Sequence, residues 1–292
     1  MNHKAGFVNI IGNPNVGKST LMNTLIGQKL SIITNKAQTT RHRIKGILNG
    51  DDYQIVFSDT PGFINPSYKL QESMMNYVYS AFKDADILIY MLELGEKQND
   101  NNHIYKIIDK LKVPLLILIN KIDLHDQNAV ELEIKKWSQK YSNSKVIPVS
   151  ALNKFNIENI KKNIVSLLPI SPPYFEKDAI TDKSSRFFVE EIIREKILIH
   201  YKKEIPYSVQ IQVEDFIETE DSVEIRAVIY VMRESQKGII IGHRGLGLKR
   251  IGMEARKDIE NMLGKHICLY TPVKVKKNWR KDTSQLKKFG YQ

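Results

Sequence analysis

A strand-loop-helix signature constrains the fold of this chain more than any other feature. The apolar run Phe7-Val8-Asn9-Ile10-Ile11 leads into Gly12-Asn13-Pro14-Asn15-Val16-Gly17-Lys18-Ser19-Thr20, and Leu21-Met22-Asn23-Thr24-Leu25-Ile26 reads as a helix. The spacing G-x-x-x-x-G-K-[ST] turns the backbone so that several N–H groups face one concavity, at the positive end of the following helix dipole. Polyphosphate is the expected occupant. Lys18 is placed to reach the β- and γ-phosphates, and the Ser19 hydroxyl to ligate Mg²⁺.

Three further strand ends complete a nucleotide set. Tyr53-Gln54-Ile55-Val56-Phe57 reads as a buried strand and delivers Asp59-Thr60-Pro61-Gly62. Asp59 is expected to serve the metal, and the Gly62 N–H to face the γ-phosphate. Leu115-Leu116-Ile117-Leu118-Ile119 ends in Asn120-Lys121-Ile122-Asp123. The Asp123 carboxylate can accept from both N1–H and the N2 amino group of guanine, and adenine offers neither. Asn120 should tie base loop to phosphate loop, with the Lys121 stem along the purine. After Val146-Ile147-Pro148-Val149 comes Ser150-Ala151, whose backbone N–H is expected at guanine O6. Four elements at the C-terminal ends of strands predict a mostly parallel α/β sheet with helices on both faces, binding GTP and GDP.

Beyond that domain the charge becomes uneven. Of the net +11, residues 237–292 carry 14 basic against 4 acidic side chains, an electrostatic footprint for a polyanion. Three prolines in Leu167-Leu168-Pro169-Ile170-Ser171-Pro172-Pro173-Tyr174-Phe175 stop any helix and predict a linker over 169–183, between a domain at 1–168 and another at 184–292. In the second, 186–198 has helical periodicity, 209–213 and 223–231 alternate as strands, and 218–222 suits a hairpin. Gly242-His243-Arg244-Gly245 then sits between an apolar and a basic helix, and 267–270 with 273–275 supplies a closing strand.

One cysteine, Cys268, excludes an internal disulfide and reads as a small core residue. No segment reaches the roughly eighteen apolar residues of a membrane span, and Met1–Gly6 enters the first strand with no room for a signal peptide. A cytoplasmic monomer is expected.

The nucleotide motifs, with Lys36-Ala37-Gln38-Thr39-Thr40-Arg41-His42-Arg43-Ile44, resemble the translation-factor-related GTPases, and within them the Era family. The resemblance covers nearly the whole chain. It implies a P-loop GTPase domain, in which a switch threonine, Thr40 in preference to Thr39, closes on Mg²⁺ with GTP. Metal contacts then fall to Ser19, Thr40 and Asp59, and catalysis to Lys18, Thr40, Gly62 and Asn15. Signalling GTPases place a water-orienting glutamine after the Asp-x-x-Gly glycine. Here the position is Phe63, which cannot hold water by hydrogen bonding. In related GTPases an asparagine at the position of Asn15 helps coordinate K⁺; bracing of the loop is the alternative, and the residues leave both open. Arg41 and Arg43 are candidate charge donors.

The Gly242–Gly245 tetrad resembles the loop of an α+β KH domain of the helix-strand-strand-helix-helix-strand type, which clamps about four nucleotides of single-stranded RNA. His243-Arg244 departs from the family's usual lysine and glycine but keeps positive charge. The resemblance implies RNA contacts at Gly242, His243, Arg244, Gly245, Lys249, Arg250, Lys274, Lys276, Lys277 and Arg280, with Trp279 either stacking on RNA or packing between domains. It also implies binding to small-subunit (16S) ribosomal RNA near its 3′ end and a role in small-subunit maturation. Two rivals are a constitutive RNA binder that keeps nucleotide as a structural prop, and a peripheral GTPase at the inner face of the cell membrane. No long amphipathic helix accompanies the lysines, which ranks the second below RNA.

Overall fold

The computed structural model describes residues 3–96 and 102–291. Two compact units emerge: Met1–Ser31, Thr40–Pro66 and Met74–Asp182 form the first, and Ile32–Thr39, Ser67–Ser73 and Lys183–Gln292 the second. Met1 and Asn2 of the segment read as leading into the first strand lie outside the described residues.

Up to residue 168 the elements are β1 (Lys4–Gly12), α1 (Lys18–Ile26), β2 (Ile44–Asn49), β3 (Tyr53–Asp59), α2 (Lys69–Lys83), β4 (Ile87–Glu93), α3 (Asn102–Ile108), β5 (Leu115–Asn120), α4 (Gln127–Lys140), β6 (Lys145–Pro148) and α5 (Ile157–Leu167). The sheet order is β2-β3-β1-β4-β5-β6, parallel except for the antiparallel β2–β3 pair. Strands β1, β3, β4 and β5 are buried almost throughout, which is why they read as continuous apolar runs. Helix α5 buries Ile157, Ile160 and Ile164, a stripe at helical spacing.

The proline-rich stretch is not a loose tether. Ile47 N–H donates to Ile180 O at 2.8 Å, Gly46 pairs with Thr181, and the Gln54 side chain accepts from Tyr174 and Phe175 N–H at 2.7 and 2.9 Å. Pro169, Pro172 and Pro173 exclude helix, and the chain beyond them supplies Ile180 and Thr181 to the open edge of β2. The first unit consequently runs on to Asp182.

The second unit contains α6 (Ser185–His200), α7 (Ile205–Ser208), β7 (Gln210–Glu218), β8 (Ser222–Val231), α8 (Glu234–Ile241), α9 (Leu246–Leu263), β9 (His266–Tyr270), β10 (Val273–Val275) and α10 (Thr283–Lys288). Strands β7 and β8 form the expected antiparallel hairpin, with Thr219 N–H donating to Ser222 O at 2.8 Å. Strands β9 and β10 follow one another along β8, both parallel to it, interrupted at Thr271-Pro272, where proline removes a donor. Val189, Ile193 and Ile197 of α6 and Ile251, Ala255 and Ile259 of α9, both spaced i, i+4, i+8, join one core beneath this sheet.

Trp279 belongs to this unit's interior. It is fully buried, its indole N–H donates to Ser208 O at 3.1 Å, and its ring meets Phe289 edge-on. The ring has no face left for RNA. Cys268 is also placed differently from expectation: it is exposed on β9, while its neighbours Ile267 and Leu269 contribute to the core. Strand alternation decides this, because inward Ile267 forces the next side chain outward.

Candidate nucleotide site and nucleic-acid groove

At the C-terminal end of β1 the chain turns through Gly12–Gly17 and enters α1 with Lys18. Lys18 is buried, and its ammonium donates to Gly12 O at 3.0 Å and Asn13 O at 2.8 Å. Burial pushes its pKa down to about 8, against the opposing pull of Asp59 and Glu96. Ser19 Oγ donates to Asp59 Oδ2 at 2.6 Å and lies 3.0 Å from Thr40 Oγ1, which itself reaches Asp59 Oδ2 at 3.3 Å. The three expected metal-site residues therefore converge. Asp59 Oδ1 is buried with no hydrogen-bond partner, and burial raises the carboxyl's pKa. An orphaned buried carboxylate oxygen beside two hydroxyls is a donor set that fits a hard divalent cation such as Mg²⁺. Thr39 spends its hydroxyl on Thr34 and Lys36 O, both at 2.6 Å, and does not join the Ser19–Thr40–Asp59 cluster.

The Asp59–Gly62 turn reaches the phosphate loop directly. Thr60 Oγ1 donates to Ile10 O at 2.7 Å, and Phe63 N–H to Gly12 O at 3.3 Å. A Cβ on Gly62 would stand 2.5 Å from Pro14 N, so only glycine permits this approach. Phe63 points its ring into the core beside Tyr90, Met75 and Val78.

At the base end, Asn120 Nδ2 donates to Val16 O at 2.7 Å, and Asn120 Oδ1 accepts from Ala151 N–H at 3.0 Å. One side chain thus ties phosphate loop to base loop. The Ala151 N–H, expected at guanine O6, is already engaged by Asn120. Lys121 takes a left-handed backbone (φ 61°) and its ammonium pairs with Glu93. Asp123 is exposed, and Ser150 is buried with its Oγ accepting from Asn153 N–H at 3.2 Å. Asn15 also has a left-handed backbone (φ 64°) and an exposed side chain.

The candidate charge donors near the first switch do not face solvent. Arg43 forms a fork with Asp84 at 2.7 and 2.9 Å, and also donates to Asn9 and Ser58. Arg41 is 1% exposed. Arg43 is a brace, not a free charge. Arg43→Ala should leave buried Asn9 and Ser58 unsatisfied and lower stability by about 2 kcal/mol, discounted because Asp84 is half exposed. Thermal unfolding should show a drop of several degrees, with nucleotide affinity in the surviving folded fraction unchanged; weakened affinity at unaltered melting temperature would return Arg43 to the site.

In the second unit, Gly242 (φ 71°, ψ 179°) and Gly245 (φ 76°) hold the tetrad in conformations L residues avoid, and Arg244 is left-handed at φ 49°. His243, Arg244, Lys249 and Arg250 are all exposed. Beside the tetrad lies a groove of about 550 Å³ between α9 and β9, lined among others by Lys249, Met253, Arg256, His266, Cys268 and Tyr270. Met253, Arg256 and Tyr270 are groove residues that motif reading missed. The signal was present: positions 249, 253 and 256 share one face of α9, and 266, 268 and 270 one face of β9. The tail lysines divide. Lys274 pairs with Glu214 at 3.2 Å, Lys276 stands over the Tyr230 and Phe289 rings, Arg280 lies over Tyr68, and Lys277 is exposed.

Residues 7–121 match the family model described as 50S ribosome-binding GTPase, and residues 204–280 match the KH domain model. The chain is 43% identical over 294 residues to GTPase Era of Thermoanaerobacter sp. (strain X514), covering 100% of this chain and 97% of that protein. To GTPase Era of Staphylococcus haemolyticus (strain JCSC1435) it is 41% identical, covering 99% of this chain and 97% of the relative. The solved structure of Era in complex with MgGDPNP and nucleotides 1506–1542 of 16S ribosomal RNA superposes with a TM-score of 0.95 at 36% identity, over 99% of both chains. An Aquifex aeolicus Era variant bound to GDP.AlF4⁻ superposes at 0.94, also 36% identical and over 99% of both chains. Nucleotide loops on an α/β sheet, a KH groove and end-to-end similarity all agree: the chain belongs to the GTPase Era family.

Proposed function

We propose that this GTPase holds GTP or GDP with Mg²⁺ at the β1–α1 loop, and holds the 3′ end of small-subunit 16S ribosomal RNA in the α9–β9 groove. Its role is then that of a cytoplasmic, monomeric switch assisting maturation of the small ribosomal subunit. The observation that supports this reading most is likeness over 99% of both chains to an Era seen with MgGDPNP and with that RNA. Bound Mg²⁺ neutralises charge on the phosphates. Ser19, Thr40 and Asp59 are the residues that hold it, while Lys18 holds the β- and γ-phosphates and the Gly62 N–H meets the γ-phosphate. Asp123 and Lys121 take the guanine. The tetrad and Lys249, Arg250 and Lys277 track the RNA backbone, with Tyr270 exposed at the groove for a base to stack on. Single-turnover GTP hydrolysis with and without an RNA carrying the 3′-end sequence tests the coupling. Hydrolysis by the purified chain is required; none under either condition would leave nucleotide a structural prop.

Water positioning does not fall to Phe63, because its ring is spent in the core. Asn15 is the exposed polar side chain of the phosphate loop, and we assign it a K⁺ ion beside the phosphates. Replacing K⁺ by Na⁺ should slow turnover by about tenfold, equivalent to roughly 1.4 kcal/mol of barrier. Asn15→Ala should remove the difference between the salts, and Phe63→Ala should leave it. Equal parent rates in the two salts would dismiss the ion.

A further inference from the structure

One turn after β4 reaches both nucleotide loops. Glu96 N–H donates to Glu93 O at 3.3 Å, Glu93 N–H returns a bond to Glu96 Oε2 at 3.3 Å, and Gly95 between them has a φ of 72°. Glu93 pairs with Lys121 of the base loop. Glu96 Oε1 accepts from Asn13 Nδ2 of the phosphate loop. Asn13 is thereby gripped twice, by the Glu96 carboxylate at its side chain and by the Lys18 ammonium at its carbonyl, 2.8 Å away. Burial raises the pKa of Glu96 and lowers that of Lys18, and each charge favours the ionised form of the other. A neutral amide could still accept from Asn13, so the bond to the phosphate loop does not by itself require a charge. A fixed anion here also works against an incoming polyphosphate, which needs the same ammonium.

We propose that Glu96 is a positioning residue that restrains nucleotide affinity: it orders the phosphate loop through Asn13 while giving Lys18 a resident counter-charge that the phosphates must outcompete. The inference rests on the nucleotide reading of the site. It makes release of GDP faster than the loop geometry alone would allow, an intrinsic aid to exchange.

Glu96→Gln removes the anion while the amide oxygen can still accept from Asn13; what it gives up is the Glu93 N–H bond within the turn, not the hold on the phosphate loop. With the full chain, Mg²⁺ and mant-GDP, the variant should bind about fivefold more tightly and release more slowly, the order expected for one partly screened unit charge. With KCl held constant, the gap should narrow as choline chloride raises the ionic strength from roughly 0.05 to 0.5 M, because the Debye length shrinks severalfold. A purely structural brace has no reason to tighten binding or to respond in this way. Glu96→Ala, which removes both functions, should still bind no more weakly than the parent. Unchanged or weakened mant-GDP affinity in a folded Glu96→Gln protein overturns the proposal alone, since parent binding then stands. Failure of the parent to bind mant-GDP overturns the nucleotide site and this inference with it.

Discussion

Asp123→Asn should lower GTP affinity by about 10²-fold and move preference toward the xanthine nucleotide, as expected when a bidentate hydrogen-bond pair worth a few kcal/mol is removed. The carboxylate lies in the short helical turn Ile122–Leu124, just beyond β5, exposed where a base can reach it. An amide cannot accept from both guanine N1–H and N2, whereas xanthine carries a carbonyl where guanine carries the amino group. The phosphate-binding groups are untouched by the change, so the weakening should be selective for the base. Competition of mant-GTP by GTP and by xanthosine triphosphate reads both effects. Equal GTP affinities in parent and variant would remove Asp123 from the base site.

The second large effect is expected at the tetrad, where the geometry itself selects the variant. Gly242→Asp mixes charge with strain: φ is 71°, and a Cβ would lie 3.0 Å from Gly247 N. His243 and Arg244 are exposed instead, and aspartate tolerates the left-handed backbone at Arg244. His243→Asp combined with Arg244→Asp should reduce affinity for single-stranded RNA by at least about tenfold, with GTP binding retained, because two charges now repel phosphates. Arg244→Ala is milder. Every phosphate that is no longer neutralised should reduce the slope of log affinity against log salt by about 0.7, and sequence preference should persist because phosphates position while bases specify. Fluorescence anisotropy across a salt series checks this. Parent-like RNA affinity in the folded double variant would mean that the basic block serves another polyanion.

The parts legible in the sequence were those where local chemistry and fold demand the same residue. Gly12 to Thr20, Asp59 to Gly62 and Asn120 to Asp123 need fixed residue types at fixed spacing, and each sits at a strand end in the structure. The helical stripe of α6 and the alternation in β8 were readable because burial imposes a period on composition. What stayed hidden depends on partners distant in the chain. Arg43 reads as a basic loop residue until Asp84, 41 positions away, is brought to it. Trp279 gave no sign of choosing Ser208 O and Phe289. Cys268 has a β-rich context on either reading, and only the parity fixed by Ile267 turns it outward. The prolines at 169, 172 and 173 correctly excluded helix, but extended chain suits an edge strand as well as a linker. Asn13–Glu96 spans 83 positions and has no motif at all.

The most direct measurement for the account is to crosslink the full chain to RNA in cells, recover it, and sequence what is bound. One GTPase carrying one KH groove should concentrate its crosslinks at the 3′ end of small-subunit ribosomal RNA, and His243→Asp with Arg244→Asp should remove that peak. Crosslinks spread evenly over unrelated RNAs, or a 3′-end peak undiminished in the double variant, would contradict it.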